Sequence, residues 1–139
     1  MDAELSRWLE ECRSCCAEGH LADFIPALSQ ADPGALGITV FEPGKSPVSA
    51  GDHAVPFTLQ SISKVFTLIL ALMDRGEEAV FQKVGMEPTG DNFNAIAKLE
   101  LVEPGKPFNP LINAGAITIT SMISGASRAE KWNRIREFI

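Results

Sequence analysis

The hydrophobic positions of this chain change period several times, and each change marks an element. From residue 3 to residue 17, Leu5, Trp8, Leu9, Cys12, Cys15 and Cys16 recur at the three-and-four spacing of an amphipathic helix, which Gly19 ends. Residues 21–30 read as a short helix that Pro26 breaks or opens, and Asp32-Pro33-Gly34 as a turn. Leu36 to Phe41 is apolar and β-branched, which predicts a strand. Glu42-Pro43-Gly44-Lys45 supplies turn chemistry, and Val48 to Gly51 the returning strand of a hairpin. Phe57 to Met73 reads as a long apolar helix stopped by Asp74-Arg75-Gly76, and Glu77 to Val84 as a short one. Residues 85–110, with their proline turns and asparagines, read mostly as ordered loop. Ala114 to Ile123 reads as a buried helix. Arg128 to Ile139 forms a last helix, with Trp132, Ile135, Phe138 and Ile139 at helical spacing and neither a cap nor a stop signal.

The helices over 60–73 and 114–123 are apolar on nearly every face, and such a helix needs protein on all sides. The expectation is therefore that residues 1–139 form the N-terminal part of one larger domain. Its class is α+β, mostly helical with a short β-hairpin.

Composition then narrows the function classes. Eighteen Asp and Glu against twelve Lys and Arg give a formal charge of −6. That argues against a nucleic-acid binder and against a polybasic membrane-surface protein. The longest apolar run, nine residues from Val65 to Met73 with Thr67 inside it, is short of the roughly 20 residues a spanning helix needs. The acidic start Met1-Asp2-Ala3-Glu4 lacks the positive charge of a secretory signal, so the cytoplasm is the expected compartment.

Three candidate sites lose to plainer readings. A metal or redox pair at Cys12-x-x-Cys15 has no second pair, and His20 and His53 are isolated, so no metal site is expected. The cysteines are placed instead on or beside the buried stripe of the first helix. Gly44-Lys45-Ser46 could end a phosphate-binding loop, but the glycine required five residues earlier is Thr39, and Pro47 follows. Neither histidine has a nucleophile beside it in sequence, and each reads as a surface or turn residue.

The strongest constellation is Gln60-Ser61-Ile62-Ser63-Lys64. A serine and a lysine three apart at a helix start share one face. The positive end of the helix dipole favours an alkoxide or oxyanion there. The same field, with burial, disfavours the charged lysine and leaves an amine able to take the serine proton. The alternative is a serine near a helix cap and a lysine whose stem lies along apolar surface while its head reaches water. Spacing leaves both open. Asn113, ahead of Ala114-Gly115-Ala116, reads first as an N-cap and second as a donor and acceptor for a small polar substrate.

Taken together, these residues resemble the serine-dependent glutaminase family. The resemblance is carried by Gly51-Asp52, by Val55-Pro56-Phe57-Thr58-Leu59-Gln60-Ser61-Ile62-Ser63-Lys64, and by Val84-Gly85-Met86-Glu87-Pro88-Thr89-Gly90. Phe93-Asn94 and Asn109-Pro110-Leu111-Ile112-Asn113-Ala114-Gly115-Ala116-Ile117 continue it. It runs from about Ala22 to the last residue and is densest over 51–125. It implies a partial serine β-lactamase/transpeptidase-like fold and hydrolysis of L-glutamine to L-glutamate and ammonia, with no metal and no organic cofactor. It further implies that Ser61 is acylated, that Lys64 is the adjacent base, and that Gln60-Ser61 lies in the substrate pocket. Asn113, on the same ground, binds the amino-acid end of the substrate. Self-association in the family makes a homo-oligomer the expected assembly, with neither nucleic acid nor membrane as partner.

Two departures from the family stand out. Its Tyr-Ile-Pro segment is Phe24-Ile25-Pro26 here, and loss of a transition-state hydrogen bond costs about 10–1000-fold in rate. The family domain is also about twice as long, and its further substrate ligands have no counterpart in this chain, which contains no tyrosine. Two alternatives stand beside the glutaminase reading. One is a penicillin-recognising acyl enzyme, although Ser-Asp-Asn and Lys-Thr-Gly are absent from the sequence. The other is an inactive truncated chain that acts only as a folding or interaction partner.

Overall fold

The positive φ of Gln60 keeps the central apolar stretch from being one uninterrupted helix. In the computed structural model, which describes residues 2–90 and 105–139, the chain divides near that point into two units, Met1–Thr58 and Leu59–Ile139.

In the first unit, α1 (Asp2–Arg13) tightens into a 3-10 turn (Ser14–Glu18) that ends at Gly19. A second 3-10 turn, Pro26–Gln30, starts at its proline, whose fixed φ suits a helix start. Residues 21–25 are not helical, so Pro26 opens this element. β1 (Gly37–Val40) and β2 (Val48–Gly51) pair antiparallel, with Gly37 opposite Gly51 and Val40 opposite Val48. Their turn closes through the Lys45 N–H on the Glu42 carbonyl at 3.0 Å, and Lys45 Nζ meets the Glu42 carboxylate at 2.8 Å. The Gly44-Lys45-Ser46 run is therefore a hairpin turn. Leu5 and Leu9 of α1 bury against Ala50. Gly51 has φ +66°, and a side chain there would strike Leu9 and the Leu36 carbonyl, so glycine lets helix and hairpin meet.

The cysteines do not follow the buried stripe. Cys12 and Cys15 are exposed, Cys16 is half-buried, and Trp8 is half-exposed. Two short strands present a ribbon about 5 Å between strand axes, narrower than the helix that crosses it, so only Leu5 and Leu9 are covered.

The second unit is helical: α2 (Ser63–Arg75), α3 (Glu77–Lys83), α4 (Asn113–Met122) and α5 (Arg128–Phe138). Its core is Leu70, Ala71, Val80, Val84, Ile119 and Ile123. Gly76, at φ +78°, stops α2 and hands its N–H to the Leu72 carbonyl at 2.9 Å. The helix expected over 57–73 starts later, because 57–59 are irregular and Gln60–Ile62 form a 3-10 turn. Cover on every face is not realised among the described residues. Val65, Ile69 and Met73 form an exposed row on α2, and Ile117 of α4 is 71% exposed. Of the stretch read as loop, residues 91–104 lie outside the described residues; 85–90 and 105–110 carry no helix or strand. No helix among the described residues is long and apolar enough to cross a membrane.

The last helix does have a cap, at its start. Ser127 Oγ accepts the Glu130 N–H at 3.1 Å, and the Glu130 carboxylate reaches back to the Ala126 N–H. This Ser-x-x-Glu box was legible in the sequence and overturns the uncapped reading at that end. Asp74 fastens the same region. Its carboxylate, 6% exposed, accepts the Ser124 N–H at 2.7 Å and pairs with Arg134. Arg134→Ala leaves that carboxylate buried without its counter-charge. The expected loss is about 1–3 kcal/mol, below the cost at a fully buried pair because the arginine is part-exposed. The urea midpoint of the second unit reads it, and an unchanged midpoint refutes it.

Candidate active site

Gln60 is the only residue other than glycine with positive φ among the described residues, at +41°. A side chain pays a steric penalty in that region, and such strain gathers where a functional group must be aimed. A right-handed helix cannot run through it, so the chain enters α2 by the tight turn Gln60–Ile62. The Ile62 N–H bonds the Leu59 carbonyl at 3.1 Å, and Ser63 Oγ donates to the Gln60 carbonyl at 2.6 Å. Ser61 thus precedes α2, where the sequence reading put it inside the first helical turn. In a 3-10 turn, residues three apart eclipse, so the serine and lysine keep a common side. Ser61 is exposed.

Lys64 is half-buried, and its ammonium does not simply reach for water. Nζ donates to the Leu111 carbonyl at 2.9 Å and to Asn113 Oδ1 at 2.7 Å. Two segments some fifty residues apart in sequence therefore meet at one amine. Asn113 is the first residue of α4, Ile112 holds the cap position, and no side chain caps the helix there. The N-cap reading of Asn113 gives way: its amide oxygen faces Lys64.

The asparagine that orders the approach to α4 is Asn109, which the sequence reading left without a role. Its Oδ1 accepts the N–H groups of Leu111 at 3.0 Å and Ile112 at 3.1 Å, and its Nδ2 donates to the Glu87 carbonyl at 3.0 Å. The Asn-Pro pair was the available signal, since asparagine before proline favours a side-chain-closed turn. Gly115 lets that turn lie on α4, because a Cβ there would overlap the Asn109 carbonyl. Backbone pairing fixes the rest. The Gly85 N–H bonds the Pro107 carbonyl at 2.7 Å, the Glu87 N–H bonds the Phe108 carbonyl at 3.0 Å, and Lys106 Nζ closes the end of α3 on the Phe81 carbonyl at 2.6 Å.

An open apolar groove of about 670 Å³ touches the same turn, between Leu68, Phe81 and Pro110. Leu111, whose carbonyl holds the Lys64 amine, lines it, and among the described residues Ser61 and Lys64 do not. Phe24 is exposed in the first unit, as are His20 and His53. Among the described residues no three His, Cys, Asp or Glu side chains gather as a metal would require.

An α+β chain whose Ser-x-x-Lys opens the central helix, the lysine crossing to an asparagine on a second apolar helix, has the organisation of the serine β-lactamase-like proteins. Within that class the chain belongs to the glutaminase family, whose family model matches residues 19–139. A glutaminase of Geobacillus thermodenitrificans is 54% identical over 136 residues, 98% of this chain and 44% of the relative. A probable glutaminase of Bacillus subtilis superimposes with a TM-score of 0.85 at 45% identity, covering 98% of this chain and 41% of that one. A Bacillus subtilis glutaminase in covalent complex with 5-oxo-L-norleucine, formed from 6-diazo-5-oxo-L-norleucine, superimposes at 0.75 with 39% identity, covering 98% of this chain and 40% of that one. The chain thus spans less than half the length of these relatives.

Proposed function

We infer that this chain carries the acyl-transfer centre of a glutaminase, with L-glutamine as substrate, Ser61 as nucleophile and Lys64 as proton carrier. The observation that supports this most is the double grip on Lys64. The Leu111 carbonyl and Asn113 hold the amine at a fixed place, three residues after an exposed serine on a strained turn. In the first half-reaction Ser61 Oγ attacks the side-chain amide carbon and its proton passes to Lys64. The tetrahedral oxyanion develops at the positive end of α2. The C–N bond then breaks, Lys64 returns the proton to the leaving nitrogen, and ammonia departs from a γ-glutamyl ester. In the second half-reaction water gives its proton to Lys64 and attacks the ester. Glutamate leaves as Ser61 Oγ is reprotonated. Asn113 and the Gln60-Ser61 turn contact the bound substrate, Asn113 at its amino-acid end.

The reagent 6-diazo-5-oxo-L-norleucine tests this reading. After incubation, peptide mapping is expected to find the mass of the reagent less one N2 on the peptide holding Ser61. Lys64→Ala is expected to suppress the adduct. An adduct on another residue, or none, overturns the assignment, and an adduct formed by a penicillin in its place favours the penicillin-recognising alternative.

A further inference from the structure

One of the acceptors that hold Lys64 belongs to a peptide group that is itself held from its other edge. The Leu111 carbonyl that receives Lys64 Nζ shares one planar peptide unit with the Ile112 N–H, and in a trans peptide these two groups point to opposite edges. The Ile112 N–H is held by Asn109 Oδ1, which also holds the Leu111 N–H. Gripping one edge of a rigid plane orients the other. Asn109 is itself fixed at its far end, where Nδ2 donates to the Glu87 carbonyl, and the Glu87 N–H in turn bonds the Phe108 carbonyl next to Asn109. The loop of bonds closes on itself, and Gly115 presses against its Asn109 carbonyl.

The geometry points to Asn109 as a positioning residue for Lys64: it aims the Leu111 carbonyl that holds the amine beside Ser61. Asn109 touches neither the serine nor the amine. The catalytic half of this inference rests on the glutaminase reading above; the geometric half does not. Alanine at 109 frees the Leu111–Ile112 peptide to rotate, and the amine loses the fixed Leu111 carbonyl as an acceptor. Aspartate keeps both acceptor bonds and loses only the donor to Glu87.

The test is the rate at which N-acetoxysuccinimide acetylates Lys64, compared with Lys83 in the same sample by peptide mass spectrometry. Asn109→Ala is expected to raise the Lys64 rate about tenfold with Lys83 unchanged, the factor that goes with one hydrogen bond. Asn109→Asp is expected to stay near the unsubstituted chain. If Asn109→Ala fails to fold, Lys83 and Lys106 rise together with Lys64, and Asn109→Ser, whose hydroxyl closes such turns more weakly, takes its place. Unchanged Lys64 acetylation in a folded Ala or Ser variant overturns the inference, as does an Asp variant as reactive as Ala. Inactivation by 6-diazo-5-oxo-L-norleucine separates the two readings. A positioning role lowers the maximal rate at Ser61 and leaves the half-saturating concentration unchanged. A released Lys64 with no Ser61 adduct in the unsubstituted chain keeps Asn109 as the positioning residue and removes the glutaminase reading. An adduct at Ser61 with Lys64 unmoved by Asn109 does the reverse.

Discussion

On the proposed mechanism, ammonia release from L-glutamine is expected to fall by about 10⁴-fold or more in Ser61→Ala and in Lys64→Ala. In the proposed mechanism, alanine at 61 removes the atom that bonds to the substrate carbon. Alanine at 64 removes the amine that, in the same mechanism, accepts and returns the proton in both half-reactions. Because the two side chains act as one unit, the double variant is expected to be no worse than either single one. Lys64→Arg is not expected to rescue, since a guanidinium keeps its proton and its planar fork does not match two acceptors arranged for an amine. Ammonia release in each purified variant, with circular dichroism to establish folding, measures this. Turnover within about tenfold of the unsubstituted chain in either single variant would end the assignment of that residue.

The second large effect is expected at Gly115. A Cβ there overlaps the Asn109 carbonyl oxygen and lies 2.9 Å from its carbon and 3.0 Å from Pro110 Cα. All three are backbone atoms in a turn pinned at both ends, so none can swing aside as a side-chain tip would. Gly115→Ala is expected to destabilise the second unit by about 1–3 kcal/mol or more, the cost of overpacking a tight contact, despite alanine's better helix propensity. Gly19→Ala is the control. Its Cβ would meet nothing nearer than the Cys16 carbonyl at 3.9 Å, and its φ is ordinary, so its stability should hold or rise slightly. Urea unfolding of both variants decides the matter, and a Gly115→Ala chain as stable as the unsubstituted one shows that the turn can lift off α4. Such a lift would also carry the Leu111 carbonyl away from Lys64.

The elements that were legible are those set by neighbours in sequence. The hairpin followed from β-branched runs around a proline-glycine turn, and the paired strands match it closely. The stop at Gly76 followed from the residue that best tolerates its φ. The run from Gln60 to Lys64 does open the second apolar helix as its spacing suggested, but through a 3-10 turn that leaves Ser61 ahead of α2. Where the reading failed, the deciding partner was distant. The cysteines had helical spacing, but how much of α1 is covered depends on the width of the hairpin packed against it. The Ser127–Glu130 box, by contrast, is a purely local signal.

The sequence by itself determined the apolar helices, the hairpin, and the run from Gln60 to Lys64 as a place where chemistry was worth seeking. Local sterics and spacing are enough for these, since the atoms involved lie within a few residues of one another. Only the tertiary structure decided what Lys64 and Asn113 do to each other, what Asn109 is for, and why residue 115 has no side chain. The last two depend on the turn at 109–112 folding back on α4 and Glu87, and the first on packing α2 against α4. That packing brings a carbonyl, an amide and an amine from remote parts of the chain within 3 Å, and no pattern along the chain encodes that distance.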